Sequence, residues 1–252
     1  MRRKRPGPSA RAARVVCAAL LALPAAGCMD FVAPEFAGAG APATFNGAIR
    51  VVDGAALLVD GRLVPGRAGT GFLRAVPAPE LLVLDTAVAP TRITETALDY
   101  QSELPLAAAG GVDAAGPVAW RAPVVEGVGE PPSIVWYPYR PVAPDTFSVV
   151  AGQDVVVRVR PPAGATTPAP DRTSWFVTVV GGTGSVRVSA DGVPPETIRI
   201  PPAFLPEPAG ERWRVRLQVF EQAGLSGAGG DYQAQLVLET RFDWLVDRRP
   251  AP

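Results

Sequence analysis

The feature that most restricts the fold of this chain is a strict alternation of apolar and polar residues near its carboxyl end. In Trp213–Phe220 apolar residues alternate with Arg214, Arg216 and Gln218, and Tyr232–Phe242 repeats the pattern. Successive side chains of a β-strand point to opposite faces of a sheet, so a period of two residues predicts strands with one buried face. The predicted inward residues are Val155, Val157, Val159, Trp213, Val215, Leu217, Val219, Tyr232, Ala234, Leu236 and Leu238. We therefore predict an all-β protein.

Short β-like runs also precede this region, and Gly and Pro make up about a fifth of the chain, which suits turns between short strands. These runs are Phe45–Val52, Ala56–Val59, Arg62–Pro65, Gly71–Val76, Glu80–Asp85, Thr91–Tyr100 and Val118–Arg121. Asp60-Gly61 between two of them favours a two-residue hairpin turn. The sequence predicts two small antiparallel β domains, 45–125 (a sandwich or a barrel) and 133–247, joined by a linker at 126–132 and followed by a tail at 248–252.

The second predicted domain resembles a known family. Ala151-Gly152-Gln153 precedes an alternating strand, and Gly210 stands three residues before Trp213 in the Trp-x-Val-x-Leu-x-Val run. This arrangement resembles bacterial immunoglobulin-like and fibronectin-type β-sandwich domains, with Trp213 in the place of the aromatic residue that begins their penultimate strand. The resemblance covers about 133–245 and implies a spacer, an adhesion module or a ligand-binding platform.

The amino terminus carries a targeting pattern. Residues 1–14 are basic and contain no acid, Val15–Leu23 is apolar, and Ala25-Ala26-Gly27-Cys28 follows. This order is typical of a secretory signal peptide, and the apolar run is shorter than the roughly 20 residues that span a bilayer. The last four residues resemble the lipobox of bacterial lipoproteins. That resemblance implies that residues 1–27 are removed between Gly27 and Cys28, and that Cys28 is acylated and anchors the chain.

The residues after Cys28 give expectations about location and partners. Met29, not aspartate, follows the cysteine, which by resemblance to the sorting rule of enteric bacteria favours the outer membrane of the cell envelope, facing the periplasm or the surface. Residues 28–44 are small and punctuated by Pro and Gly, and they read as a flexible tether. The predicted mature chain carries 18 basic against 24 acidic residues, which argues against nucleic-acid binding.

The missing residue types exclude most catalytic chemistry. The chain contains no His, its one Lys is Lys4, and its two cysteines are Cys17 and Cys28. Catalysis through Ser-His-Asp, Cys-His, Ser-Lys or a lysine Schiff base is therefore excluded in the predicted mature chain, as are intrachain disulfides and histidine or zinc-thiolate sites. We expect no metal, no cofactor and no enzymatic activity. An enzyme that uses carboxylates alone, such as a glycosidase, remains the alternative.

Two groups of residues are candidate ligand sites. Arg212, Arg214 and Arg216 form a basic stripe, either a site for an acidic glycan or lipid headgroup or partners of the next strand, with Glu239 expected opposite Arg212 or Arg214. A second group comprises Trp136, Tyr137 and Tyr139, which either form an exposed platform that stacks on sugar rings or cover the core and the seam between the domains.

The sequence as a whole predicts a membrane-anchored envelope lipoprotein that acts as a non-enzymatic structural or binding module. A carbohydrate-binding module that uses the aromatic group is the more specific version. Its partners would be membrane lipid, through the acyl anchor, and an envelope glycan or protein.

Overall fold

The computed structural model describes residues 42–64, 66, 78–94, 96–106, 116–125, 128–142, 148–208 and 212–249. The predicted signal peptide, Cys28, most of the predicted tether and the predicted strand Gly71–Val76 lie outside these residues. The prediction of an all-β protein is confirmed, because the described residues form strands and contain no α-helix. In chain order the strands are β1 (Ala43–Val52), β2 (Ala56–Val64), β3 (Leu81–Val83), β4 (Thr86–Val88), β5 (Arg92–Ile93), β6 (Leu98–Pro105), β7 (Val118–Arg121), β8 (Ser133–Trp136), β9 (Arg140–Pro141), β10 (Ser148–Val150), β11 (Val155–Arg160), β12 (Arg172–Gly181), β13 (Gly184–Asp191), β14 (Thr197–Ile200), β15 (Arg212–Ser226) and β16 (Tyr232–Arg249).

These strands form three sheets within the described part of the chain. The largest has nine strands, in the order β13-β12-β15-β16-β1-β2-β6-β5, with β10 also paired to β16. A four-stranded sheet has the order β4-β3-β7-β8, and a three-stranded sheet has the order β14-β11-β9. The sequence predicted antiparallel sheets, but the large sheet is mixed, because β1 and β10 both pair with β16 in parallel.

Alternation of side chains along the strands builds the cores. The residues predicted to point inward from β11, β15 and β16 are all buried, which confirms the pattern. On β15 the buried face continues beyond the predicted end at Phe220, because Ala223 and Leu225 are also buried and the strand ends only at Ser226.

The buried apolar residues form two clusters. The first core contains residues of 43–136 together with Ala223, Leu225, Tyr232, Ala234, Leu236 and Leu238. The second core contains residues of 139–219 together with Val246. The 15 residues of β15 and the 18 residues of β16 therefore pass through both cores. Along the chain the change of core falls between Trp136 and Tyr139, a few residues after the predicted linker.

The large sheet joins the two predicted domains. Ala43 to Val52 of β1 lie beside Tyr232 to Arg241 of β16, so a strand of the amino-terminal half is hydrogen-bonded to one of the carboxyl-terminal half. β1 begins at Ala43 and β16 ends at Arg249, so both extend slightly beyond the domain limits read from the sequence. The domain division itself stays a prediction, since each half supplies most of one core.

The predicted hairpin turn at Asp60-Gly61 is wrong. Both residues lie inside β2, which pairs with β1 from Ala56 to Val64, and the turn falls at residues 53–55. Asp53 and Gly54 have φ of 51° and 64°, the left-handed conformation that tight hairpin turns require. Gly61 is needed inside the strand because a Cβ there would collide with the ring of Phe45.

Candidate functional site

The aromatic group lies where the first core meets the second. Trp136, the last residue of β8, is fully buried in the first core, and Tyr139 is buried in the second. Tyr137 is half-buried, and its ring leaves no room for a Cβ on Gly164. The idea of an exposed sugar-stacking platform disagrees with this burial, because two of the three rings present no free face. Their positions agree with the alternative, in which the rings cover the cores and the seam.

A buried carboxylate, Glu221, lies beside this aromatic group. Glu221 points inward from β15, between Val219 of the second core and Ala223 of the first, and is 5% exposed. The indole Nε1 of Trp136 donates a hydrogen bond of 2.7 Å to its Oε2. Burial raises the pKa of Glu221, and the hydrogen bond from Trp136 opposes that rise. Burial also raises the pKa of Tyr139 to about 12, with a contribution from the charge of Glu221.

Sequence reasoning missed Glu221 although a signal for it was present. The inward positions of β15 are the odd ones from Trp213 onward, and 221 continues that series. Ending the predicted strand at Phe220 removed Glu221 from the pattern. A strand that keeps its alternation past a charged residue places that charge inside the protein.

The basic stripe lies on the outer face of the large sheet and is mostly paired. Arg212 Nε donates to Asp247 Oδ1 at 2.7 Å, and Arg216 Nε donates to Asp243 Oδ1 at the same distance. The prediction of strand-to-strand partners is thus confirmed, but the predicted partner is wrong. Glu239 lies opposite Phe220, not opposite the stripe. β15 continues to Ser226, and this longer strand moves the register by several residues.

Arg214 differs from its two neighbours in the stripe. It is exposed, and none of the residues that the structure describes forms an ion pair with it. Its neighbours across the sheet are Val180 of β12 and Leu245 of β16, which are 42% and 54% exposed. This row of one cation between two apolar side chains, the Arg214 row, is the part of the predicted basic site whose cation has no ion-pair partner among the described residues.

Glu239 has another role, at the boundary between β16 and β1. It is 7% exposed, accepts a hydrogen bond of 2.9 Å from Gln218 Nε2 and lies 3.2 Å from Arg50 Nε. Arg50 also pairs with Asp60. One polar network therefore crosses four adjacent strands, β15, β16, β1 and β2, and links the carboxyl-terminal half of the sheet to the amino-terminal half.

An aromatic pair occupies the same outer face near β13. The rings of Phe176 and Phe220 meet edge to face with centroids 5.4 Å apart. The guanidinium of Arg187 lies 3.7 Å from the centroid of Phe176, a cation–π contact. Both rings are half-buried, so Arg187 covers part of the aromatic surface.

Two general features of the described ranges bear on the kind of site. They contain no group of three or more Cys, Asp or Glu side chains placed to hold a metal ion. Among the same residues no helix is long and apolar enough to cross a membrane.

No protein-family model matches the chain, and no curated protein matches it.

Proposed function

We propose that this chain is a cell-envelope lipoprotein, anchored through acylated Cys28, whose folded part is a non-enzymatic structural or binding module. The observation that carries the proposal is the β15–β16 hairpin. Its strands pass through both cores, and the 18 residues of β16 extend over roughly 55 Å at about 3.3 Å per residue. A continuous hairpin resists bending between the two cores, which suits a module that holds a contact surface at a distance from its anchor.

Strand order supports an immunoglobulin-like reading of residues 140–249. β13-β12-β15-β16-β10 lie in one sheet and β14-β11-β9 in another. In immunoglobulin-like sandwiches the second and fifth strands pair in one sheet, while the third, sixth and seventh lie in the other. Here β11 pairs with β14, and β12, β15 and β16 are adjacent. Domains of this kind serve many binding and spacer functions, so the site decides the function.

The surroundings of Glu221 favour a module over a glycosidase. A carboxylate-only glycosidase needs two carboxyl groups within about 5 to 9.5 Å, both able to reach a sugar. Glu221 is buried and accepts the indole N–H of Trp136, and its pKa is raised by burial and not by a second carboxylate. Its contacts explain a structural role at the seam.

The Arg214 row is the surface that we assign to ligand contact. A cation that lies between Val180 and Leu245 and has no described ion-pair partner suits an acidic envelope glycan or an acidic protein segment with apolar neighbours. Cosedimentation with purified peptidoglycan tests the glycan version. We expect Arg214→Ser to lose binding and the control Arg199→Ser, on the three-stranded sheet, to retain it. Equal binding by both variants removes the Arg214 row from the proposal.

Intact mass and membrane fractionation of the native protein test the anchor. We expect cleavage before Cys28, a mass increase that fits acyl chains, and recovery with the membrane fraction. Cys28→Ala should abolish the modification and release the protein, whereas the control Cys17→Ala should behave as wild type. A soluble wild-type protein with an unmodified mass would refute the lipoprotein proposal and leave the folded part as a secreted module.

A further inference from the structure

β13 is a long open edge of the large sheet, as is the part of β6 that no described strand pairs beyond the two-residue β5. The eight residues of β13 pair with β12 on one side, and the structure shows no described strand on the other. The other terminal strands of the three sheets, β4, β5, β8, β9, β10 and β14, are only two to four residues long. Proteins usually shorten, cover or interrupt their edges with proline, lysine or bulges, because an open edge pairs with other chains. β13 contains no proline, and its charged residues are Arg187 and Asp191.

The hairpin geometry fixes which backbone groups of β13 face outward. Gly192 N–H donates to the carbonyl of Thr173 at 2.7 Å, so this pair is hydrogen-bonded within the hairpin. In an antiparallel ladder hydrogen-bonded pairs alternate with pairs whose backbone groups point away. The even-numbered residues of β13 therefore bond to β12. Its odd-numbered residues present N–H and C=O at the open edge, and their side chains are exposed: Ser185, Arg187, Ser189 and Asp191.

We propose that β13 pairs antiparallel with β13 of a second copy of this chain, with Val188 opposite itself on the two-fold axis. In this register Ser185 faces Asp191 of the second copy, and Arg187 faces its Ser189. All four outward residues then form hydrogen-bonded pairs, giving about eight backbone hydrogen bonds.

The inner face of β13 makes this pairing self-complementary. On the outer face, Arg187 lies diagonal to both Asp191 and Arg187 of the second copy, and Asp191 already pairs with Arg172 of its own chain. On the inner face, Val186 meets Ala190, and Val188 meets itself. Val186 and Val188 already pack against the second core, so the contact extends an existing apolar surface. One Arg and one Asp give the strand itself no net charge.

A proline substitution tests the pairing without disturbing the hairpin. Ser189 N–H points to the open edge, so Ser189→Pro removes an edge donor and places a bulky ring at the contact. Ser189→Ala is the matched control, because it keeps the N–H. In sedimentation velocity of the purified full chain, we expect dimer to increase with concentration for wild type and Ser189→Ala, and to be lost in Ser189→Pro. Circular dichroism checks that each variant is folded.

Cysteine crosslinking tests the register independently. In a background with Cys17→Ser and Cys28→Ser, we expect Val188→Cys to form a disulfide-linked dimer on mild oxidation. Val186→Cys is the control, since its counterpart on the second copy lies four residues away along the strand, beyond disulfide reach. A protein that stays monomeric at every concentration would overturn the proposal. It would do so even if the β13 edge binds an extended peptide of another protein. A dimer that survives Ser189→Pro, or crosslinks better at residue 186, would also overturn it.

Discussion

The buried carboxyl of Glu221 makes stability depend on pH in a direction that the structure fixes. Burial raises its pKa above the ordinary value of 4.5, although the hydrogen bond from Trp136 opposes that effect. Between the ordinary and the raised value the folded protein keeps a proton that the unfolded chain has lost, so stability falls as the pH rises through this window. Glu221→Gln removes the titration but keeps an acceptor oxygen for the indole N–H. We expect this variant to be more stable than wild type above the raised pKa, and the difference to shrink toward pH 4.5.

A second substitution measures how much the hydrogen bond between Trp136 and Glu221 contributes to stability. Glu221→Leu also removes the buried charge, but it leaves the indole N–H of Trp136 without its acceptor. An unsatisfied buried donor costs about 1–3 kcal/mol. At about 2–4 °C per kcal/mol for a protein of this size, Glu221→Leu should unfold roughly 2–12 °C below Glu221→Gln.

Thermal unfolding followed by circular dichroism, from about pH 5 to pH 8, measures both effects. Glu103→Gln is the control, because Glu103 is an exposed glutamate on β6. The unfolding temperature of this control should change with pH in the same way as that of wild type. If the curve of Glu221→Gln also ran parallel, the carboxyl would not be titrating abnormally, and the reasoning from burial would be refuted.

Three further substitutions test single contacts by chemical denaturation. Gly61→Ala places a Cβ against the ring of Phe45, so we expect a loss of about 1–3 kcal/mol, and an unchanged midpoint would contradict that packing. Tyr232→Phe removes a hydrogen bond of 3.0 Å to the carbonyl of Pro123, so we expect a loss of about 1–3 kcal/mol, and equal stability would mean that the carbonyl finds another donor. Burial raises the pKa of Asp243, but hydrogen bonds from two arginines outweigh it and lower the pKa overall. Wild type should therefore lose stability as the pH falls from 3.8 through the lowered pKa, and Asp243→Asn should lack this loss. The same pH dependence in both proteins would mean that the arginine contacts contribute nothing.

The sequence could predict which segments form strands and which of their side chains point inward, because the alternation of apolar and polar residues is a local property. Trp213–Phe220 and Tyr232–Phe242 both lie on strands whose predicted inward residues are buried. The position of the hairpin turn could not be predicted in the same way. Asp-Gly occurs at both 53–54 and 60–61, and each is a good turn signal by itself. Pairing of β2 with β1 along its whole length selects the first.

Long-range pairing also explains why the candidate site was only partly predicted. The partners of Arg212 and Arg216 depend on where β15 ends, and that strand continues six residues beyond Phe220. Glu221 was missed for the same reason. The burial of Trp136 and Tyr139 depends on two cores meeting beside β15, which no local pattern encodes.

The parallel pairing of β1 with β16 makes the two halves of this chain depend on each other for the burial of their apolar surfaces. The first core is lined by six residues of the β15–β16 hairpin, among them Tyr232, whose hydroxyl bonds to Pro123. Residues 45–125 alone would expose that side of the core and leave the β16 side of β1 without its strand. Conversely, a hairpin of 15 and 18 residues would project far beyond the second core if the first were missing. Each half buries its apolar surface by using the other, which is why alternation continues unbroken along β15 through the charged position 221.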